Sequence, residues 1–204
     1  RTMARAADER RKALRDTLID LAEAEIEQNG ITAIKARPLA QAAGCSVGAI
    51  YNVFGDLNDL VMAVNGRTFK RLGTHVMEAV SANPSEDAVE TLIRMAHAYL
   101  DFAIHNTHAW RTLVDLEMST DQDVPEWYLA ELEQLLALIA NPLMQNFPDM
   151  DREDIMLMTR GLFSSIHGIV LLGLEKRISA VPTDQLERMI ALILSNLASE
   201  SPIF

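Results

Sequence analysis

Proline and glycine are so sparse in this 204-residue chain, seven and nine residues respectively, that long stretches rich in Ala, Leu, Met and Glu run unbroken. These residue types lose little on entering a helix. The chain is therefore expected to be all-α, and no segment reads as a strand, an internal repeat or a low-complexity tract. Apolar residues make up 49% and charged residues 23%, enough for a real core and incompatible with bulk disorder. One cysteine, Cys45, excludes a disulfide framework and a thiolate zinc cluster. The uncharged run at 161–174 is short for a bilayer and contains Ser164, Ser165 and His167. Arg1, Arg5, Arg10, Arg11 and Lys12 have no apolar segment behind them, unlike a secretory signal. The expectation is a cytoplasmic protein with no membrane partner.

The net charge of −11 is unevenly spread. Residues 1–74 carry 11 Lys/Arg against 9 Asp/Glu, whereas residues 75–204 carry 7 against 20. A mildly basic head on an acidic body confines any contact with a polyanion to the head.

Helices follow from spacing and caps. Leu14, Leu18, Leu21, Ala22 and Ile26 recur every three or four residues, predicting a helix from Asp8 to Asn29 that Gly30 stops. A short helix spans Arg37 to Ala43, with Pro38 in its first turn. Ser46 caps a third, to Val53, and Asp56 with Asp59 forms a capping box for a fourth, to Val80. Ser85 is expected to cap a helix to His105, and Thr107 one through Met118. Asp123 to Glu126 opens a helix that Pro142 should kink or end. Asp151 begins a long helix to Ile178, apolar nearly all round, which must be buried in the core or against a partner. Pro182-Thr183 starts the last helix.

The segment from Leu39 to Tyr51, LAQAAGCSVGAIY, has the grammar of a helix-turn-helix. Ala43 is small where two helices cross, Gly44 supplies positive φ in the turn, and Leu39 and Ile50 are buried between the helices. Such a unit presents its second helix to the DNA major groove, although a plain helical corner shows the same spacing.

The longer run from Gly30 to Phe54, followed by Asp56 and Leu60, resembles the DNA-binding head of TetR-family transcriptional regulators over residues 10–64. Segments around Phe102 to Arg111 and Phe163 to Val170 resemble one branch of that family, in which a His-Gly run lies on a dimer-forming helix. The resemblance implies a head at residues 1–55 and a ligand-binding and dimerisation body at 56–204, acting as a homodimer. It implies DNA contacts from Lys35, Arg37, Ser46, Val47, Gly48, Ala49, Tyr51 and Asn52. Among these, Arg37 falls at a base- or phosphate-contacting position and Tyr51 at a phosphate-contacting one, and Asn52 is the candidate to read an adenine edge. Three positions depart from the family pattern: Leu57 replaces a phosphate-binding lysine, Val53 a histidine and Ala36 a hydroxyl residue.

In the body, Met95, Tyr99, Phe102, Trp110, Met118, Trp127, Tyr128, Met158 and Phe163 are candidate pocket residues, because methionine adapts to irregular ligands and aromatics add area with a polar handle. Ordinary core filling explains the same residues. Ile166, Ile169, Val170, Leu186, Ile190 and Leu194 are the candidate dimer interface. His97, Asp101 and His105 form one helical stripe of metal-ligating type, but a second element must complete a shell, so no metal or cofactor is expected. No phosphate-cradling glycine loop, nucleophile elbow or paired His-Glu zinc motif occurs, so the chain is not expected to be an enzyme.

These readings converge on a ligand-responsive repressor. It would bind a pseudo-palindromic double-stranded operator as a homodimer and be released when a small apolar or cationic molecule shifts the fourth helix. The alternative, motivated by Leu57 and Val53, is a helical small-molecule-binding protein whose head no longer reads DNA.

Overall fold

A computed structural model describes residues 2–116, 124–175 and 181–197. They form α1 (Thr2–Asn29), a 3-10 turn (Ile31–Ala33), α2 (Ala36–Ala43), α3 (Val47–Val53), α4 (Leu57–Ala82), α5 (Ala88–His105), α6 (Thr107–Asp115), α7 (Glu126–Asn146), α8 (Arg152–Leu174) and α9 (Thr183–Leu197). No strand occurs among the described residues.

Contacts divide the chain into two units: Arg1–Phe69 with Asn106–Tyr128, and Lys70–His105 with Leu129–Phe204. In the first, α1 packs against α2, α3 and α6. Its core joins Leu18, Ile19, Ala22 and Ile26 of α1 to Leu39 and Ala40 of α2, Ile50 of α3, Phe54, and Leu60, Val61 and Val64 of α4. This is the i, i+4 stripe expected of α1, closed by the short helices. In the second, α5 packs against both α8 and α9, which also pack on each other.

Local chemistry explains the boundaries and corrects several expectations. The cap of α4 is reciprocal: Asp56 Oδ1 accepts from the Asp59 N–H at 2.8 Å, while Asp59 Oδ2 accepts from the Gly55 N–H at 2.9 Å. α5 starts later than the Ser85 cap implies. Asp87 Oδ1 accepts from the Val89 N–H at 2.8 Å, and the Ser85 hydroxyl accepts from the Asp87 N–H, so Ser85 braces the cap instead of being it. Pro142 does not end α7; it lies buried inside a helix that continues to Asn146. Asp151 caps α8 as expected, accepting from the Asp154 N–H at 2.9 Å. α8 closes at Leu174, before the expected end at Ile178, which lies outside the described residues.

α8 is not buried all round. It is long and apolar enough to pass for a membrane-crossing helix by length and composition alone, with mean hydropathy 1.6 over 18 residues, and 28% of that window is buried within the chain. Such a helix on its own is weak evidence for a bilayer, because one covered by another protein surface has the same composition.

Candidate functional site

The turn between α2 and α3 is built as its sequence requires. Gly44 adopts φ 65°, ψ 33°, a left-handed cap that a side chain would strain. The Cys45 N–H donates to the Ala40 carbonyl at 2.9 Å, and the Ser46 hydroxyl caps α3 by accepting from the Ala49 N–H at 3.1 Å. Ile50 is fully buried and Leu39 nearly so, which locks α3 onto α2 and α1. The opposite face of α3 is then presented outward: Gly48, Tyr51 and Asn52 are exposed, Tyr51 to 46%, with Val47 and Ala49 half-buried beside them. Lys35 and Arg37 at the start of α2 and Ser46 are also exposed. All eight residues expected at a DNA surface therefore have at least part of their side chain or backbone accessible. Positive charge accompanies them: Arg10, Arg11, Lys12 and Arg15 are exposed on α1, and the Arg15 guanidinium lies 5.3 Å from the Phe54 ring centroid just beyond α3.

Leu57 is packed, half-buried, against the core that holds α3. Its substitution by lysine is therefore expected to lower the thermal midpoint and to weaken DNA binding without changing the salt slope. Tighter binding at low salt, with a slope steeper by about one unit of log K per unit of log salt, would instead show that a phosphate contact had been restored.

The candidate pocket residues fall into two sets. In the first unit, Tyr128 meets Phe69 edge-on at 5.3 Å and Trp127 at 5.5 Å. Gly66 lets the Trp127 indole approach to 3.2 Å from where a Cβ would sit. Next to them lies a residue that sequence reasoning passed over: Asn65 of α4, fully buried. Its Nδ2 donates to the Thr112 carbonyl at 3.1 Å and to the Tyr128 hydroxyl at 3.0 Å, while its Oδ1 has no partner. Burial raises the Tyr128 pKa above its usual value, against a smaller opposing effect of the Asn65 hydrogen bond. Trp110, in the same unit, is only 1% exposed and fills the packing around α6.

In the second unit, the Tyr99 hydroxyl and His167 Nδ1 are 2.7 Å apart, and Phe163 meets both rings at 5.8 Å. Met95 and Phe102 are buried in α5, and Met158 is half-buried on α8. Met118 lies outside the described residues. The histidine stripe is otherwise engaged: Asp101 pairs with His75 at 3.0 Å and His105 at 3.1 Å, and His97 Nε2 contacts the Glu187 carbonyl at 3.0 Å. Among the described residues, no group of three or more His, Cys, Asp or Glu is placed to hold a metal ion.

Of the residues expected to join two copies, Ile166, Val170, Leu186, Ile190 and Leu194 are buried and Ile169 half-buried within a single chain. They pack α8 and α9 into their own unit. The large apolar side chains left exposed on these helices are Leu157, Leu172, Leu192 and Ile193.

Residues 92–197, just over half of the chain, match the family model described as "Tetracyclin repressor-like, C-terminal domain". An uncharacterized HTH-type transcriptional regulator, YobS of Bacillus subtilis (strain 168), is 23% identical over 156 residues, 76% of each chain. A solved protein of unknown function from Rhodococcus sp. RHA1 superposes with a TM-score of 0.72 at 21% identity, covering 92% of this chain and 96% of that one. RolR, solved in complex with resorcinol, superposes with a TM-score of 0.66 at 18% identity, covering 95% of this chain and 96% of that one.

Proposed function

The chain belongs to the TetR family of transcriptional regulators, and from that premise we propose that it is a repressor that binds a pseudo-palindromic operator as a homodimer and leaves it when a small molecule binds. The observation that carries this reading is α3 itself. It is locked inward by Ile50 and a serine cap, and outward it bares Gly48, Tyr51 and Asn52 beside exposed Arg37 and Lys35. A helix so presented suits the major groove, about 12 Å wide.

The half-buried apolar surface of α8 supports a second copy as its cover. Leu157, Leu172, Leu192 and Ile193 would form the contact between copies, while Ile166, Val170, Leu186, Ile190 and Leu194 support it from beneath. Two copies carry two recognition helices, and productive binding places these about 34–36 Å apart, one turn of B-DNA. A ligand releases the operator only to the extent that it prefers the state in which that separation is lost. That the fold accommodates small aromatic ligands is supported by RolR, which was solved with resorcinol, and by the aromatic groups around Tyr128 and Tyr99. These two groups are the proposed pocket candidates.

The contact assignments are tested by substitution at exposed positions, where stability is little affected. Arg37→Ala and Tyr51→Ala are expected to weaken binding uniformly across sequences, as loss of a phosphate contact does. Asn52→Ala should instead relax preference at a single base position, at a cost of about 1–3 kcal/mol. Binding measured against a panel of single-base operator variants checks both. An unchanged preference after Asn52→Ala removes that residue from base readout.

A further inference from the structure

Asn65 is a fully buried amide in the middle of α4 with an unpartnered carbonyl oxygen. Its orientation is fixed, because the Thr112 carbonyl accepts only and must face the amide NH2 at 3.1 Å. Reversing the amide would set its oxygen against the Thr112 carbonyl oxygen and move the NH2 to the unpartnered position. Oδ1 is therefore a buried acceptor with no donor. A group left in that state costs the fold stability, and native structures keep few of them.

A complementary donor lies one amide group away. The Tyr128 hydroxyl accepts from Asn65 Nδ2 at 3.0 Å, so that bond does not use its own proton. Its raised pKa keeps that proton in place at neutral pH. An unmet acceptor and a phenolic donor thus sit together, flanked by the Phe69 and Trp127 rings at 5.3 and 5.5 Å from Tyr128. A hydroxyl group both donates and accepts, so one hydroxyl satisfies both; an ammonium would satisfy Oδ1 but has no lone pair for the tyrosine proton. The edge-on rings favour a flat aromatic body behind that hydroxyl.

We propose that Asn65 and Tyr128 read the hydroxyl of a small neutral aromatic ligand, Asn65 Oδ1 accepting its proton and the Tyr128 O–H donating to its oxygen. The proposal rests on the reading of the chain as ligand-responsive and specifies the chemistry of that ligand. It places the ligand contact on α4 itself, at a buried polar atom that has no partner within the chain.

The test compares 4-ethylphenol with ethylbenzene as probes, by calorimetry on the full chain. The wild type is expected to prefer the phenol by about tenfold or more, the worth of a well-made hydrogen bond. Tyr128→Phe, which keeps the ring, and Asn65→Leu, which keeps the volume, should each erase most of that preference while ethylbenzene still binds. Circular dichroism identifies any variant that fails to fold; Tyr128→Phe alone then decides. Equal binding of the two probes by the wild type, binding of neither, or a preference that survives Tyr128→Phe would overturn the assignment. None of these outcomes touches the DNA reading, which is judged separately by whether the ligand-free protein selects an operator.

Discussion

Ile50→Ala is expected to abolish operator binding and to destabilise the fold by about 2–5 kcal/mol. Ile50 is the only fully buried side chain that α3 sends into the core, where it meets Leu39 and Ala40 of α2 and the Leu18–Ile26 stripe of α1. Truncation leaves a cavity between three helices of which two are eight residues or shorter. Short helices have little stability of their own and depend on that packing. The loss is a large share of a typical total of about 5–15 kcal/mol, and α3 cannot hold its register without it. Urea unfolding and fluorescence anisotropy on labelled operator measure the two effects. Undiminished binding by a variant with an unchanged unfolding midpoint would mean that α3 is positioned by something other than this core.

Trp110→Ala should be costlier still, about 3–5 kcal/mol. The indole is 1% exposed on α6, the helix that packs along α1, and nothing as large is buried as completely elsewhere among the described residues. Trp127→Ala provides the control: its side chain is 45% exposed, so its removal should cost far less. Equal destabilisation by the two would contradict the burial. The contrast also separates two tryptophans that look alike in sequence as pocket candidates. Trp110 acts by filling space, whereas Trp127 has a free face beside Tyr128 and is the one whose emission should respond to a bound aromatic probe.

What was legible in the sequence was what depends on neighbours in the chain. Gly44 in its left-handed turn, Ser46 and Asp151 as caps, the Asp56–Asp59 box and the inward Leu39 and Ile50 are all set by short-range geometry, and the structure shows each one. Where two good caps lie close together, as at Ser85 and Asp87, spacing does not decide between them; the hydrogen bonds do. Pro142 does not end α7, because a proline inside a helix removes one backbone hydrogen bond while the turns on either side keep theirs, and this one is buried beside Leu143.

Tertiary coverage was not legible. Ile166 and Leu172 are equally apolar in α8, but α5 and α9 pack on this helix; Ile166 is buried while Leu172 stays 44% exposed. Asn65 was overlooked for a similar reason. A lone asparagine in a helix reads as a solvated residue, yet it shares a helical face with Val61, Thr68 and Phe69, all buried. That pattern, a polar residue on an apolar stripe, was the available signal.

Selection of bound duplexes from a random pool by the ligand-free protein tests most directly the proposal that α3 reads DNA in pairs. The expected result is enrichment of an inverted repeat with half-site centres about one helical turn apart, blurred at one symmetric pair of positions by Asn52→Ala and lost with Ile50→Ala. A folded protein that enriches no sequence at all would contradict it, and would leave a helical ligand-binding protein whose helix-turn-helix no longer reads DNA.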